Sequence, residues 1–351
     1  MPQDILGSAW HVAAGRFQVF DDGTIYIDGA PVLGGISSGG RLIYVNPNTG
    51  DDSNDGLSAA KAIKTLVQAQ VLATANQNDI VVLLATTDAA TPGTYRVPAG
   101  GLNWAKDGVH LIGQSGGGTQ QRARISNATT DVATNTVFNN TGKNCLFANF
   151  SVFHGVASWT GTGGGVPTAF KHAGQHCSFK GVTISGMGDG SASNSMDQNL
   201  GSSLWLAGSE NKFEDCYIGL DTVYLGNKTS SCMTMSGAVS RNRFNNCKFA
   251  SRGNHANHAA IQVQTSGMQD MAAEFDKCLF TNSGIFAGGL AGDGVFKVAA
   301  TQNGGILVNG SSCGAVGYSF WEKATVSGYV YVSNPAVGAG KAGLGTVAVG
   351  S

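Results

Sequence analysis

Five phenylalanines divide the middle of the chain into similar parcels. Phe147, Phe179, Phe213, Phe244 and Phe275 each open one pattern: two residues, an apolar residue or cysteine, one residue, then a strand former. The third-position residues are Phe150, Val182, Cys216, Cys247 and Cys278, and the strand formers are Val152, Ile184, Ile218, Phe249 and Phe280. Successive leading phenylalanines are 32, 34, 31 and 31 residues apart. The cysteines keep the same register, because Cys145 and Cys177 share a second slot two residues before their phenylalanine. Self-similarity at this period predicts a solenoid. No parcel contains an amphipathic helix of the length that helical repeats need. Each holds short β-formers broken by Gly, Asn and Ser, as in a chain that turns a corner every few residues. A parallel β-helix fits: coils stack at about 4.8 Å with like side chains inside. The Phe column and Cys216, Cys247 and Cys278 are then its inward ladder, and the surplus length of each coil is a loop on the outside.

The flanks have other patterns. Phe17 to Phe20, the turn Asp21-Asp22-Gly23 and then Ile25, Tyr26 and Ile27 predict a β-hairpin. Too small to stand alone, it reads as an attachment segment that ends in the Gly/Ser-rich linker 34–40. Leu42–Val45 is the first strand of the main body. After the loop Asn46 to Leu57, Ser58 is placed as the N-cap of a helix running to Ala75, with Ala62, Ile63, Leu66, Val67, Ala69 and Leu72 on one face. Such a helix would cover the strand edges at the open end of a solenoid. Strands follow at 80–84 and 108–113, and further ones are expected at 305–308 and 328–332. The expected divisions are 1–40 (attachment), 41–110 (first strand, capping helix and early strands), 111–310 (repeats) and 311–351 (last strands and a Gly/Ala-rich tail).

Composition narrows the function classes. Of 351 residues, 52 are glycine and 12% are charged, with a formal net charge of −1. That leaves no basic field for a nucleic acid, while 42% apolar content argues against disorder. With only 7 prolines and no three-residue glycine period, collagen is excluded. No apolar run reaches the roughly 20 residues of a membrane span, so membrane insertion is not expected. The opening Met1 to Leu6 lacks the basic and apolar regions of a signal peptide, which places synthesis in a cytoplasm. Seven cysteines without metal spacing read as small core residues rather than a disulfide framework.

The stretch Tyr44-Val45-Asn46-Pro47-Asn48-Thr49-Gly50-Asp51-Asp52-Ser53-Asn54-Asp55-Gly56-Leu57-Ser58, followed by Ile63-Lys64-Thr65-Leu66, resembles the opening of right-handed β-helix proteins of the pectate-lyase-like superfamily. Gly108-Val109-His110-Leu111-Ile112-Gly113 resembles their first coil. The resemblance covers residue 41 to about residue 310. It implies an all-β right-handed parallel β-helix and a group that includes polysaccharide lyases and hydrolases, phage tailspikes and phage head proteins. Homotrimers are common among the phage members, so the resemblance also implies a trimer.

Candidate chemistry is sparse. The clustered aspartates with an arginine base of a lyase are missing, as is the aspartate trio of a polygalacturonase-type hydrolase. Counted from each leading phenylalanine, Asp189, Asp221, Arg252 and His255 fall at similar offsets, so stacked coils would gather them. Paired carboxylates could cleave a glycosidic bond, with His255 as a general base. The favoured alternative is a cross-coil ion pair between Asp221 and Arg252. His255 with His258, and His172 with His176, lack the further ligands of a metal site. Asp51, Asp52, Asn54 and Asp55 lack the last carboxylate of an EF-hand loop, and the triple glycines at 116 and 163 lack a phosphate loop's lysine. No metal and no cofactor is expected. Trp104, Trp159, Trp205 and Trp321 could stack on sugars if exposed, although buried core is their commoner role.

The expected function is a structural protein on the outside of a phage virion, a head decoration or head fibre with a host- or glycan-adhesion role. Its expected partners are phage capsid or tail proteins and cell-surface glycans. The alternative is a tailspike or free polysaccharide depolymerase, lyase or glycosidase, with an acidic groove on the β-helix.

Overall fold

The computed structural model describes residues 17–19, 25–27, 30–32, 40–85, 94–114, 123–128, 133–155, 167–186, 201–222, 230–253, 258–264, 267–283, 294–299, 302–313, 320–324, 329–333 and 345–346. The chain forms two compact units, Met1–Gly40 and Arg41–Ser351. In the first, Phe17–Val19, Ile25–Ile27 and Ala30–Val32 make a three-stranded antiparallel sheet. The expected hairpin is therefore extended by a third strand, Ala30–Val32, paired antiparallel with Ile25–Ile27. Phe17, Ile25, Tyr26 and Ile27 lie on these strands, and Phe20 lies outside the described residues.

The second unit is a parallel β-helix of three sheets, one of 11 strands and two of 8. The coil that begins at Ser178–Lys180 shows the path. That strand belongs to the long sheet, here sheet I. Thr183–Ser185 belongs to sheet II, Ser202–Leu206 to sheet III, and Lys212–Glu214 returns to sheet I one rung further on. The five phenylalanines of the repeat are one column of sheet I, each paired in register with the next. Their rings stack at 4.9, 4.3, 4.5 and 4.8 Å between centroids, with 7–23° between planes. The column is therefore the β-helix rung spacing written in side chains, and all five rings are buried. Each contributes about 1.5–3 kcal/mol of apolar burial. Ile125, Val152, Ile184, Ile218, Phe249 and Phe280 form the matching column of sheet II.

Left-handed corners explain the cysteines. Between sheets I and II the turn is made by Asn149, Gly181, Asp215, Asn246, Lys277 and Gly310, all with φ between 51° and 60°. Between sheets III and I the same backbone recurs at Gly108, Asn144, His176, Glu210 and Arg241. Both cysteine slots are the residue just after such a corner. There the side chain points inward and donates to carbonyls that the sharp turn leaves open. Cys247 Sγ reaches the Asn245 and Phe213 carbonyls at 3.4 and 3.5 Å, and Cys177 Sγ reaches those of Gly142 and Gln175 at 3.4 Å. Asn211, Asn242 and Ser311 perform the same task in the neighbouring coils. Burial pushes the Cys247 thiol well above its usual range, so it stays a neutral donor. The six cysteines whose side chains are described are all free and buried.

The helix at the start is shorter than the apolar pattern predicts. Ser58 caps only a 3-10 turn, Ala59–Lys61, and the α-helix is Leu66–Leu72 with Thr65 as its N-cap. Residues between them are drawn into extended backbone, where Ile63 bridges Val45. Asp52 fixes the second start by accepting from the Lys64 and Thr65 N–H groups at 2.9 and 2.8 Å and from the Thr65 hydroxyl at 2.8 Å. Leu66 and Ala69 face the core, and Arg41 and Lys106 donate to the carbonyls at the helix C-terminus. Asp79 ties this end together, accepting from the Arg41 and Thr74 N–H groups at 2.7 Å each. Burial alone would raise its pKa, but those donors and the Arg41 guanidinium hold the carboxyl below the usual range.

Candidate functional site

Several polar groups that look chemical in the sequence are internal structure. His258 Nδ1 donates to the Ser230 carbonyl at 2.9 Å and Nε2 accepts from the Ser251 hydroxyl at 2.9 Å. This is the connectivity of a serine–histidine pair, yet both residues are fully buried, where they brace the end of a sheet II strand. His172 is equally buried, accepts from Asn140 Nδ2 at 3.0 Å, and has its pKa pushed down to about 4 by burial. His176 faces solvent on a corner instead, against Glu210 at 3.1 Å. His172 and His176 are thus kept apart, one in the core and one on the surface, and His255 lies outside the described residues. Among the described residues no His, Cys, Asp and Glu cluster could hold a metal ion.

Of the four stacked candidates, Asp189 and His255 lie outside the described residues. Asp221 and Arg252 follow the sheet II strands Tyr217–Gly219 and Lys248–Ser251. Asp221 pairs with Lys248 Nζ at 3.7 Å, and the same ammonium lies 5.2 Å from the centre of the Tyr217 ring. Burial first, and the Asp221 carboxylate second, push the Tyr217 phenol above its usual range. The tyrosine therefore stays protonated against the aspartate, and Asp221 is committed to two neighbours.

Among the described residues, the outer face of sheet I carries a dense group of ion pairs. Lys212, Arg243 and Glu274 occupy one outward column on three successive rungs. Arg243 Nε and Nη2 both reach Glu274 Oε2, at 2.9 and 2.8 Å, and Lys212 reaches Glu214 at 2.8 Å. On the corner beside them Glu210 pairs with both Arg241, at 2.9 Å, and His176. A shallow groove of about 390 Å³ runs among Glu210, Lys212, Arg241, Arg243, Met271 and Glu274. Each of its acids already has a cation, as in a solvated salt-bridge network.

Sheet III differs. One outward column runs Asn103, Asn139, Lys171, Trp205, Thr234, Gln262 and Lys297, each in register with the next. It contains amides, ammonium groups and an indole, but no carboxylate. Asn103 and Lys171 are exposed, Asn139 and Trp205 are half-exposed, and Thr234 and Gln262 are buried. The open stretch is thus Asn103 to Trp205. Asn139 Nδ2 donates to Asn103 Oδ1 at 2.9 Å. Trp104 and Trp321 are core side chains, and Trp159 lies outside the described residues. Trp205 is the described tryptophan that faces outward. The steps Asn139 to Lys171 to Trp205, 32 and 34 residues, repeat the phenylalanine spacings. The signal was therefore in the sequence, in a column next to the apolar one.

No family model matches the chain, and no curated protein matches it. Solved structures do. Pectate lyase Pel9A aligns over 86% of this chain and 69% of its own at 17% identity, with a TM-score of 0.57. The pectin methylesterase of Aspergillus niger covers 85% and 84% at 14% identity, with a TM-score of 0.51. A pectin methylesterase in complex with a hexasaccharide covers 84% and 88% at 14% identity, with a TM-score of 0.52. At such identities the likeness concerns architecture. This chain folds as a right-handed parallel β-helix of the pectate-lyase-like type.

Proposed function

We propose that this chain recognises an anionic polysaccharide laid along the outer face of sheet III. The observation that carries the reading is the open column Asn103–Asn139–Lys171–Trp205. Its rungs are about 4.8 Å apart, close to the advance per sugar of an extended polysaccharide, so successive residues of the polymer meet successive side chains. The indole offers a flat apolar face for a sugar ring. The two amides offer donors and acceptors for hydroxyls. Lys171, with no ion-pair partner among the described residues, supplies a positive charge. The carboxylate-free column suits a uronate-bearing chain over a neutral one. The β-helix fold of enzymes named for pectate and pectin supports the ligand class.

The lane binds rather than cleaves: it has neither an acid nor a carboxylate base. For a depolymerase, Asp221 pairs with Lys248 and lies against Tyr217, while Asp189 and His255 lie outside the described residues. Placement on a virion stays an expectation of the sequence alone; the enzymes named for pectate and pectin among the similar structures favour a polysaccharide depolymerase as the second reading. The test is a panel of acidic and neutral polysaccharides, scored for retention in affinity electrophoresis and for new chain ends. Retention by acidic polymers without new ends is expected. Equal migration on every polymer would overturn the proposal, and new chain ends would replace it with the depolymerase.

A further inference from the structure

We infer that a crevice on the outer face of sheet II is a second ligand site, shaped for a single uronate-like unit with one carboxylate and several hydroxyls. It goes beyond the polysaccharide lane and lies on a different sheet. The crevice encloses about 210 Å³ among Arg124, Ser151, Phe153, Thr183, Ser185 and Leu220. That is smaller than the pockets that take drug-sized ligands and suits one ring.

The register builds it. Arg124, Ser151 and Thr183 are one outward column on three consecutive rungs, and Phe153 and Ser185 are adjacent members of the next. A guanidinium at one end is a bidentate partner for a carboxylate. Three hydroxyls follow along the floor, and the Phe153 ring and Leu220 give an apolar side for the C–H face of a sugar. Ser151 and Thr183 are each 4% exposed and Ser185 is 5% exposed. The Ser185 hydroxyl, buried and lining the crevice, has no hydrogen-bond partner among the described residues. Buried polar groups are rarely left so, and a ligand hydroxyl would satisfy it. Asp221 lies between the lining residues Leu220 and Thr222.

Glucuronate alone, with glucose as the neutral control, is titrated into the full chain by NMR. Wild type should saturate with glucuronate at least about tenfold more tightly than with glucose, a difference of about 1.4 kcal/mol. Arg124→Gln and Ser185→Val should each weaken glucuronate about tenfold with the melting temperature unchanged, while Trp205→Ala leaves it unaltered. Should Ser185→Val not fold, Ser185→Ala serves, since it removes the hydroxyl without adding bulk. No saturable glucuronate binding to wild type, or wild-type affinity in both variants, would overturn the second site. Loss in Trp205→Ala alone would assign the sugar to the sheet III lane.

Discussion

The outer faces of sheets I and III grow from the same coils and differ in how their charges are satisfied. On sheet I, Arg243 grips Glu274, Lys212 grips Glu214, and Glu210 is shared by Arg241 and His176. That network is complete without a ligand. On sheet III, Asn103, Asn139, Lys171 and Trp205 present groups that no described carboxylate neutralises. Dense charge therefore marks a finished surface here, and a sparse column of amide, ammonium and indole marks an unfinished one.

The largest expected effect removes what both faces share. Phe213→Ala opens the ring stack at its middle and should cost about 3–5 kcal/mol, read by chemical denaturation; a loss below about 1 kcal/mol would mean that the column is not the core. Acid comes next. His172 titrates near 4 when folded and near 6.5 when free, so the unfolded state takes up its proton first. The stability that depends on a neutral His172 is full above pH 6.5 and should fall progressively as pH drops toward 4. Asp79, held below its ordinary 3.8, adds a further loss as pH falls below that value. His172→Leu, which copies its in-register neighbour Leu206, should flatten the upper part of the decline in a melting series across pH. An unaltered pH profile in that variant would exclude His172 as its cause.

Smaller changes separate the two faces. Lys171→Gln should weaken binding of an acidic polysaccharide and reduce its salt dependence, with stability shifted by no more than about 0.5 kcal/mol. Glu274→Gln breaks the best-formed pair on sheet I and should cost only about 0–1 kcal/mol, with polysaccharide binding unchanged. If Glu274→Gln lowered affinity while Lys171→Gln did not, the roles of the two sheets would be reversed.

The phenylalanine and cysteine columns were legible in the sequence because inward positions repeat one residue type at a fixed step. The start of the helix was not, because Asp52 and the Ile63–Val45 bridge come from chain neighbours that a local apolar pattern does not contain. The cysteine slots were visible, but their reason was not. Only the backbone shows that each follows a left-handed corner and that Asn and Ser can take the same place. The lane on sheet III shares the repeat step, yet its residue type changes from rung to rung. A search for identical residues passes over it, and a count from Phe179 to Phe213 applied to Lys171 finds Trp205.

The central claim rests on one indole. Isothermal titration of wild type and Trp205→Ala, side by side against one acidic polysaccharide at low and raised salt, tests it most directly. The account predicts salt-sensitive binding by wild type and a loss of about tenfold or more in Trp205→Ala, with both proteins melting together. Equal affinity in the two proteins would contradict it.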